Sequence, residues 1–318
     1  MSPLHVANGD MAADRLREAA VGGEIVTFID ALHEGPAPAG LSADDWWACR
    51  ARFVADAGWD AFEVAWTRLR GADARLAAAG ACDEVVLWFE HDLNCQLQLV
   101  RVLDLLLRHA PETPVTIVCI GEYPGIPDFH GLGQLTGAQM AGLHQTRQSL
   151  PRAAAEVAGA AWAAFRSPDP SALEAVIAAD TSALPFLGAA LRRHLEQFPA
   201  AGTGLSRTER QMLEVVASGI GERTRVFKEA EGREASPFMG DVIFFDHLAR
   251  LAGGAAPLLA VEDGERVALT EHGRHVLAGR ADRVALAGFD RWLGGAHLRH
   301  GRAMWRRDGE RLRGTPRW

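Results

Sequence analysis

Leu4-His5-Val6-Ala7-Asn8-Gly9-Asp10 is the stretch that decides how the first half of the chain folds. Its apolar start reads as a short strand, Asn8-Gly9-Asp10 interrupts it, and Met11, Leu16, Ala19 and Ala20 then recur at helical spacing. Strand, tight turn and helix follow in that order. Going outward, Glu24 to Ile29 is a second β-rich run ending at Asp30 and followed by Leu32-His33-Glu34-Gly35-Pro36. Ser42-Ala43-Asp44-Asp45 opens a helix with a capping pattern, and a further helix fills residues 60 to 80. Glu84 to Phe89 is a third strand closed by Glu90-His91-Asp92, and the run to Arg108, apolar on most faces, is a buried helix. Pro114 to Ile120 supplies a fourth strand.

Strands alternating with helices imply a parallel, doubly wound sheet with right-handed crossovers, a Rossmann-like α/β domain. Ligands of such sheets bind outside the carboxyl ends of the strands. The polar residues fall there: Asn8 and Asp10, then Asp30, His33 and Glu34, then Glu90, His91 and Asp92, then Glu122. From Gly121 to about Gly133 the chain is rich in glycine and proline, which suits a mobile cover over that edge.

The chain has 318 residues, 48% of them hydrophobic and 23% charged, the composition of a globular protein of about two domains. No apolar run approaches the roughly 18 residues that cross a bilayer. Met1 to Val6 lacks the basic and long apolar stretches of an export signal, so a cytoplasmic location is expected. Cys49, Cys82, Cys95 and Cys119 are too far apart in sequence for a metal knuckle or redox couple and read as buried reduced thiols. Lys228 is the only lysine among 33 basic residues. It does not stand in a Gly-Lys-Ser/Thr phosphate loop, and a lysine-linked pyridoxal cofactor would have no other attachment point. Residues 1 to 150 hold 20 acids against 10 basic residues, a poor surface for nucleic acid, whereas residues 151 to 318 hold 21 against 23.

The second half begins with alanine-rich helix over residues 151 to 165, a break at Ser167-Pro168-Asp169-Pro170-Ser171, and helix from Leu173 to about Ala179. Pro185 to Leu195 carries Arg192, Arg193 and His194 at its polar end. Ser206-Arg207-Thr208-Glu209 is a capping box before Met212-Leu213-Val215-Val216; Asp241 to Leu251 is another helix, and Leu258–Val261 and Val267–Leu269 flank an Asp263-Gly264 turn before a helix over Glu271 to Leu277. That succession suggests a mostly helical, winged-helix-like domain. The helix in the DNA-reading position holds two acids, one arginine and large apolar groups, so packing suits it better than a major groove. Trp292 to Leu298 and Met304 to Leu312 look like paired strands around an Asp-Gly turn. The domains are expected at 1–150, 151–204 as a helical connector, and 205–318.

Several carboxylates at one edge raise one another's pKa unless a cation neutralises them. The expected site therefore holds a divalent metal on Asp10, Asp30 and Asp92, with Asn8, Gly9, Asp10, Asp30, Arg192 and Arg193 holding a cofactor or anionic ligand, and His33, His91 and Glu90 moving protons. Each acid also has a plainer use: Asp10 and Asp92 precede helices and suit N-caps, His5 suits a core histidine, and His33-Glu34-Gly35-Pro36 suits a turn. Asp30 follows Asp10 by 20 residues, the spacing of a ribose-binding acid in dinucleotide folds, but Asn8-Gly9-Asp10 has one glycine where the pyrophosphate fingerprint needs three. His91-Asp92 ends a strand, unlike the helical His-Asp pairs of metal-dependent phosphohydrolases, and no Gly-x-Ser-x-Gly or His-Glu-x-x-His pattern occurs.

The runs His5–Asp10, Asp30–Pro36, Leu87–Asp92 with Gln96-Leu97-Gln98-Leu99, and Ala190–Leu195 together resemble a bacterial family labelled domain of unknown function 1835. The resemblance covers residues 1 to about 215, with the extension similar to the C-terminal part of longer members. It implies no activity, substrate or catalytic residue, and Cys95 departs from the acid expected before the glutamine. The expected function is binding of a small polar ligand, a nucleotide or phosphorylated metabolite with a divalent cation, in a hydrolase or transferase. The alternatives are a ligand-responsive regulator or adaptor whose second domain contacts DNA or protein, and an interaction scaffold.

Overall fold

The computed structural model describes residues 2–299 and 304–315. It is a mixed α/β structure with thirteen α-helices among the described residues. The chain divides into two units, residues 1–191 with Gly294–Ala296, and residues 192–293 with 297–318.

The first unit opens with β1 (Leu4–Asn8), α1 (Asp10–Ala19), β2 (Glu24–Phe28) and the short β3 (Gly35–Pro36). Two helices, α2 (Ala43–Asp56) and α3 (Phe62–Ala77), carry the chain back to β4 (Val85–Glu90), α4 (Leu93–His109) and β5 (Val115–Ile120). After them come α5 (Gly137–Gln145), β6 (Gln148–Ser149), α6 (Arg152–Phe165), α7 (Ala172–Ala178) and the start of α8 (Leu187–Leu195). The main sheet has five strands in the order β2-β1-β4-β5-β6. The first four are parallel, with Leu4 opposite both Glu24 and Val85, and Val85 opposite Val115; β6 runs antiparallel to β5.

Every residue of β4 is buried, as a central strand covered on both faces requires, whereas edge strand β2 alternates toward solvent. One face of the sheet packs Ala7, Val86, Trp88 and Val118 against Ala12, Ala13 and Leu16 of α1 and Met140 of α5. α4 is buried along most of its length, and Arg101 on it forks onto the Asp73 carboxylate of α3 at 2.6 and 2.8 Å. His5 is fully buried in this core; its Nδ1 accepts from Trp88 Nε1 at 3.1 Å, and burial lowers its pKa to about 4, so it is a neutral core histidine. From β1 the chain steps by way of α1 to β2 on one side, and from β2 it returns by way of α2 and α3 to β4 on the other side of β1. The strand order thus reverses between β1 and β4, at whose carboxyl ends stand Asn8 and Glu90.

The second unit contains the end of α8, then α9 (Arg207–Ala217), α10 (Arg223–Glu231), α11 (Asp241–Ala252), the antiparallel hairpin β7 (Leu259–Glu262) and β8 (Arg266–Leu269), α12 (Glu271–Leu277) and α13 (Arg283–Ala287). Its core joins Met212, Leu213, Val226, Phe244, Leu248, Leu259, Val267 and Val276. The capping box is formed: Glu209 N donates to Ser206 Oγ at 3.1 Å and Ser206 N to Glu209 Oε2 at 2.9 Å. α11 packs through Phe244, His247, Leu248 and Leu251. Trp292 to Leu298 falls in β9 (Asp290–Gly294) and β10 (Ala296–Arg299), while β11 (Met304–Asp308) pairs with β12 (Arg311–Thr315) around Gly309. The expected Asp-Gly turn therefore joins two strands inside the second run, because both flanks of Asp308-Gly309 alternate as strands. Sequence periodicity also missed α5, β6, α10 and α13.

No helix among the described residues is long and apolar enough to cross a membrane.

Candidate functional site at the end of the parallel strands

Asn8 ends β1 and is half-buried, and Gly9 turns the chain into α1 with φ 87°, a left-handed conformation that glycine adopts without strain. Gly9 has no side chain to cap the helix, and Asp10, the first helical residue, is exposed. Glu90 ends β4, and Asp92 is the N-cap of α4, its Oδ1 accepting from Cys95 N at 3.0 Å. The sharp step from strand to helix folds Cys95 back under the strand end. Its thiol donates to Glu90 Oε2 at 2.7 Å, and Leu132 N donates to Glu90 Oε1 at 2.8 Å from the covering segment. Asn8 supplies a further side-chain hydrogen bond to Glu90. The segment comes this close because residue 131 is glycine: a Cβ there would stand 3.1 Å from Glu90 Oε1.

These acids lie in apolar surroundings. Burial is the main cause pushing the Glu90 pKa up, against the hydrogen bonds from Cys95, Leu132 and Asn8 that pull it down. Burial, and then the Glu90 charge, lift Asp92 to about 7. The same desolvation drives the Cys95 thiol well above its usual range and Cys119 to about 12, so both remain protonated at neutral pH. His91 sits between the two acids in sequence, half-buried, its ring edge-on to Phe186 at 5.9 Å between centroids. Its Nδ1 has no hydrogen-bond partner among the described residues, and burial with the nearby His130 lowers its pKa.

Asp30 is held otherwise. Arg50 on α2 forks onto it, Nε to Oδ2 at 2.9 Å and NH2 to Oδ1 at 2.6 Å, and both side chains are essentially inaccessible. The same guanidinium donates to the carbonyls of Ala31, Glu34 and Pro36, so it fixes the whole turn after β2. His33 is buried, with Nδ1 3.0 Å from Asn94 Oδ1. Glu34 is buried and Glu122 exposed. Arg192 and Arg193 belong to the second unit, where Arg193 pairs with Glu234 at 2.7 and 2.9 Å and donates to Thr208 Oγ1, and Arg192 is exposed.

The structure thus joins Asn8, Glu90 and Asp92 and leaves Asp10 and Asp30 out of their group. Among the described residues, the side chains close enough to share a cation are Glu90, Asp92 and Cys95, whose ligand atoms lie within 4.8 Å of one another. This set fits a metal poorly: the thiol is protonated, both Glu90 oxygens already accept hydrogen bonds, and Asp92 caps its helix. Arg50 and Gln96 were missed by sequence reasoning. The signal for Arg50 was a guanidinium on the apolar face of α2 beside Trp46 and Ala51; for Gln96, an amide among the leucines that open α4. Comparison with models of known protein families finds no match, and comparison with curated proteins finds none.

Proposed function

We propose that the first unit binds a small polar ligand at the carboxyl edge of its parallel sheet and uses Glu90 and Asp92 to give and take protons, the chemistry of a hydrolase or transferase. One observation carries this: two buried carboxyl groups with no cationic side chain paired to them among the described residues stand where the strand order reverses, and the pKa of one is lifted to about 7. Carboxyl groups of that kind change protonation state near neutral pH, as general acids and bases do. His91, with a lowered pKa, is a neutral base beside them. The order β2-β1-β4-β5 with parallel neighbours supports a Rossmann-like sheet. In such a sheet the uncapped start of α1 could receive an anionic group such as phosphate, and Asp10 in its first turn opposes this.

Thermal shift with nucleotides and phosphorylated metabolites, each with and without Mg²⁺, Mn²⁺ or Zn²⁺, tests the proposal. Stabilisation of the wild type that is reduced in Glu90→Gln and Asp92→Asn is expected; Asn keeps the helix cap, so the second change removes only the titrating group. No stabilisation by any member, or stabilisation indifferent to both changes, overturns it.

The second unit supports the regulatory alternative through its succession α9, α10, α11, β7–β8 hairpin and α12, the order of a winged helix. α11 begins with Asp241, buries Phe244, Leu248 and Leu251 and leaves Val242 exposed, a composition that favours a protein partner over DNA. Retardation of duplex DNA at low salt, abolished by added salt, would instead support a DNA role.

A further inference from the structure

Away from the Glu90 cluster, a pocket of about 120 Å³ lies where the start of α2, the second half of α4 and the end of α6 meet. Arg101 and Arg108 on its lining stand roughly 14 and 24 Å along α4 from the Asp92 cap, at 1.5 Å of rise per residue. The pocket is therefore separate from the carboxyl edge of the sheet. Trp46, Trp162, Asp73 and Arg166 also line it.

The arginines are gathered by aromatic rings. The Arg166 guanidinium lies 5.1 Å from the Trp46 ring centroid and 5.5 Å from that of Trp162, and the Arg101 guanidinium lies 5.3 Å from the same Trp46 ring. Asp73 offsets Arg101, and its Oδ2 also accepts from Trp47 Nε1 at 2.8 Å. Asp104 offsets Arg108 in the same way. Arg166 has no carboxylate partner among the described residues; its Nε and NH2 both donate to the Pro38 carbonyl, at 3.1 and 2.7 Å. Burial lowers its pKa, the Arg108 and Arg101 charges add to this, and Asp104 opposes it. Asp44 and Asp45 in the first turn of α2 are exposed and outside the lining, and the remaining titratable group of the lining is His109, exposed at the end of α4. Three guanidiniums thus meet two carboxylates, and one positive charge is left over.

We infer that this pocket binds a small oxyanion of the phosphate type, free or as the terminal group of a phosphorylated molecule, with Arg166 as its counter-charge. A guanidinium fork matches two oxygens of such a group, and the indole rings hold the Arg166 fork in place. The volume is below the roughly 300–1,000 Å³ of sites that enclose a whole small molecule, so it suits one anionic group. The inference does not depend on the carboxyl-edge proposal.

The test is isothermal calorimetry of the full chain, at constant ionic strength, with sodium phosphate, glycerol 3-phosphate and, as competitor, sodium chloride. Phosphate is expected to bind and chloride at the same concentration not to displace it. Arg166→Met, which keeps an unbranched apolar stem against the two indoles, should weaken phosphate about tenfold or more, the size of one hydrogen bond to a charged group. Ser42→Asp keeps a good N-cap for α2 but sets a carboxylate on the lining, and should also weaken phosphate at an unchanged urea midpoint; leaving Arg166 intact, it guards against a folding defect in the first variant. Glycerol 3-phosphate binding as tightly as phosphate upholds the site as one for the free anion, and tighter binding upholds it as one for a phosphorylated molecule. Absence of binding by both phosphates, indifference to either variant, or equal displacement by chloride overturns the inference. Phosphate binding lost in Glu90→Gln and retained in Arg166→Met would overturn it while sparing the edge proposal.

Discussion

Asp30 and the Glu90–Asp92 pair look alike in sequence: each is an acid just past a β-rich run on the same sheet. The fold treats them in opposite ways. At Asp30 it delivers a buried guanidinium that satisfies both carboxylate oxygens and three neighbouring carbonyls. At Glu90 and Asp92 it delivers a thiol, an asparagine and backbone amides and, among the described residues, no cation, and the pKa values rise. An acid at a strand end is therefore a structural ion pair or a titrating group according to whether a distant helix supplies the counter-charge.

The largest effect expected from this contrast is that of Asp30→Ala. It leaves Arg50 buried without its partner, a loss of about 3–5 kcal/mol, read as a lower urea midpoint. A change below about 1 kcal/mol would mean that Arg50 finds other partners and that Asp30 is available to a ligand.

Next comes pH. Groups whose pKa is higher folded than unfolded hold their protons more tightly in the folded chain, so their stabilisation is complete at low pH and lost as pH rises. For Asp92 the window runs from the ordinary 3.8 to about 7, and the loss across it is on the order of 4 kcal/mol. Asp92→Asn should flatten that slope in denaturation curves between these limits and leave the protein more stable than the wild type at pH 8. An unchanged slope would place the titration elsewhere.

The smallest effect belongs to the Arg75–Glu24 pair, an ion pair like Arg50–Asp30 but exposed to solvent. Arg75→Ala should cost at most about 0.2–1 kcal/mol, shrinking with added salt. A cost rivalling that of Asp30→Ala would show that burial does not separate the two pairs.

Much of the first unit was legible in its sequence. Strands β1, β2, β4 and β5 announce themselves as β-rich runs with polar ends, and Ser42 and Ser206 announce the helices they cap. α5 did not, because Gly137 and Gly142 weaken its helical signal and only Gly137 and Met140 are buried. α10 buries only Val226, Ala230 and Glu231, too few apolar positions to set a period. At the site, sequence put Asn8, Glu90 and Asp92 at one edge because parallel strands align their carboxyl ends. It could not show that Arg50, 20 residues from Asp30, neutralises that acid. Nor could it show the arginine-lined pocket, which depends on α2, α4 and the end of α6 bringing Trp46, Arg101 and Arg166 together.

Carbon-detected NMR titration of the side-chain carboxyl groups, with Asp92→Asn for assignment, addresses the cation-free pair most directly. Asp92 should titrate with a midpoint near 7, and the midpoint should fall in Glu90→Gln as the neighbouring charge is removed. A midpoint at the ordinary aspartate value of 3.8 would mean that the pair is neutralised or hydrated after all, and that the carboxyl edge holds no proton donor at neutral pH.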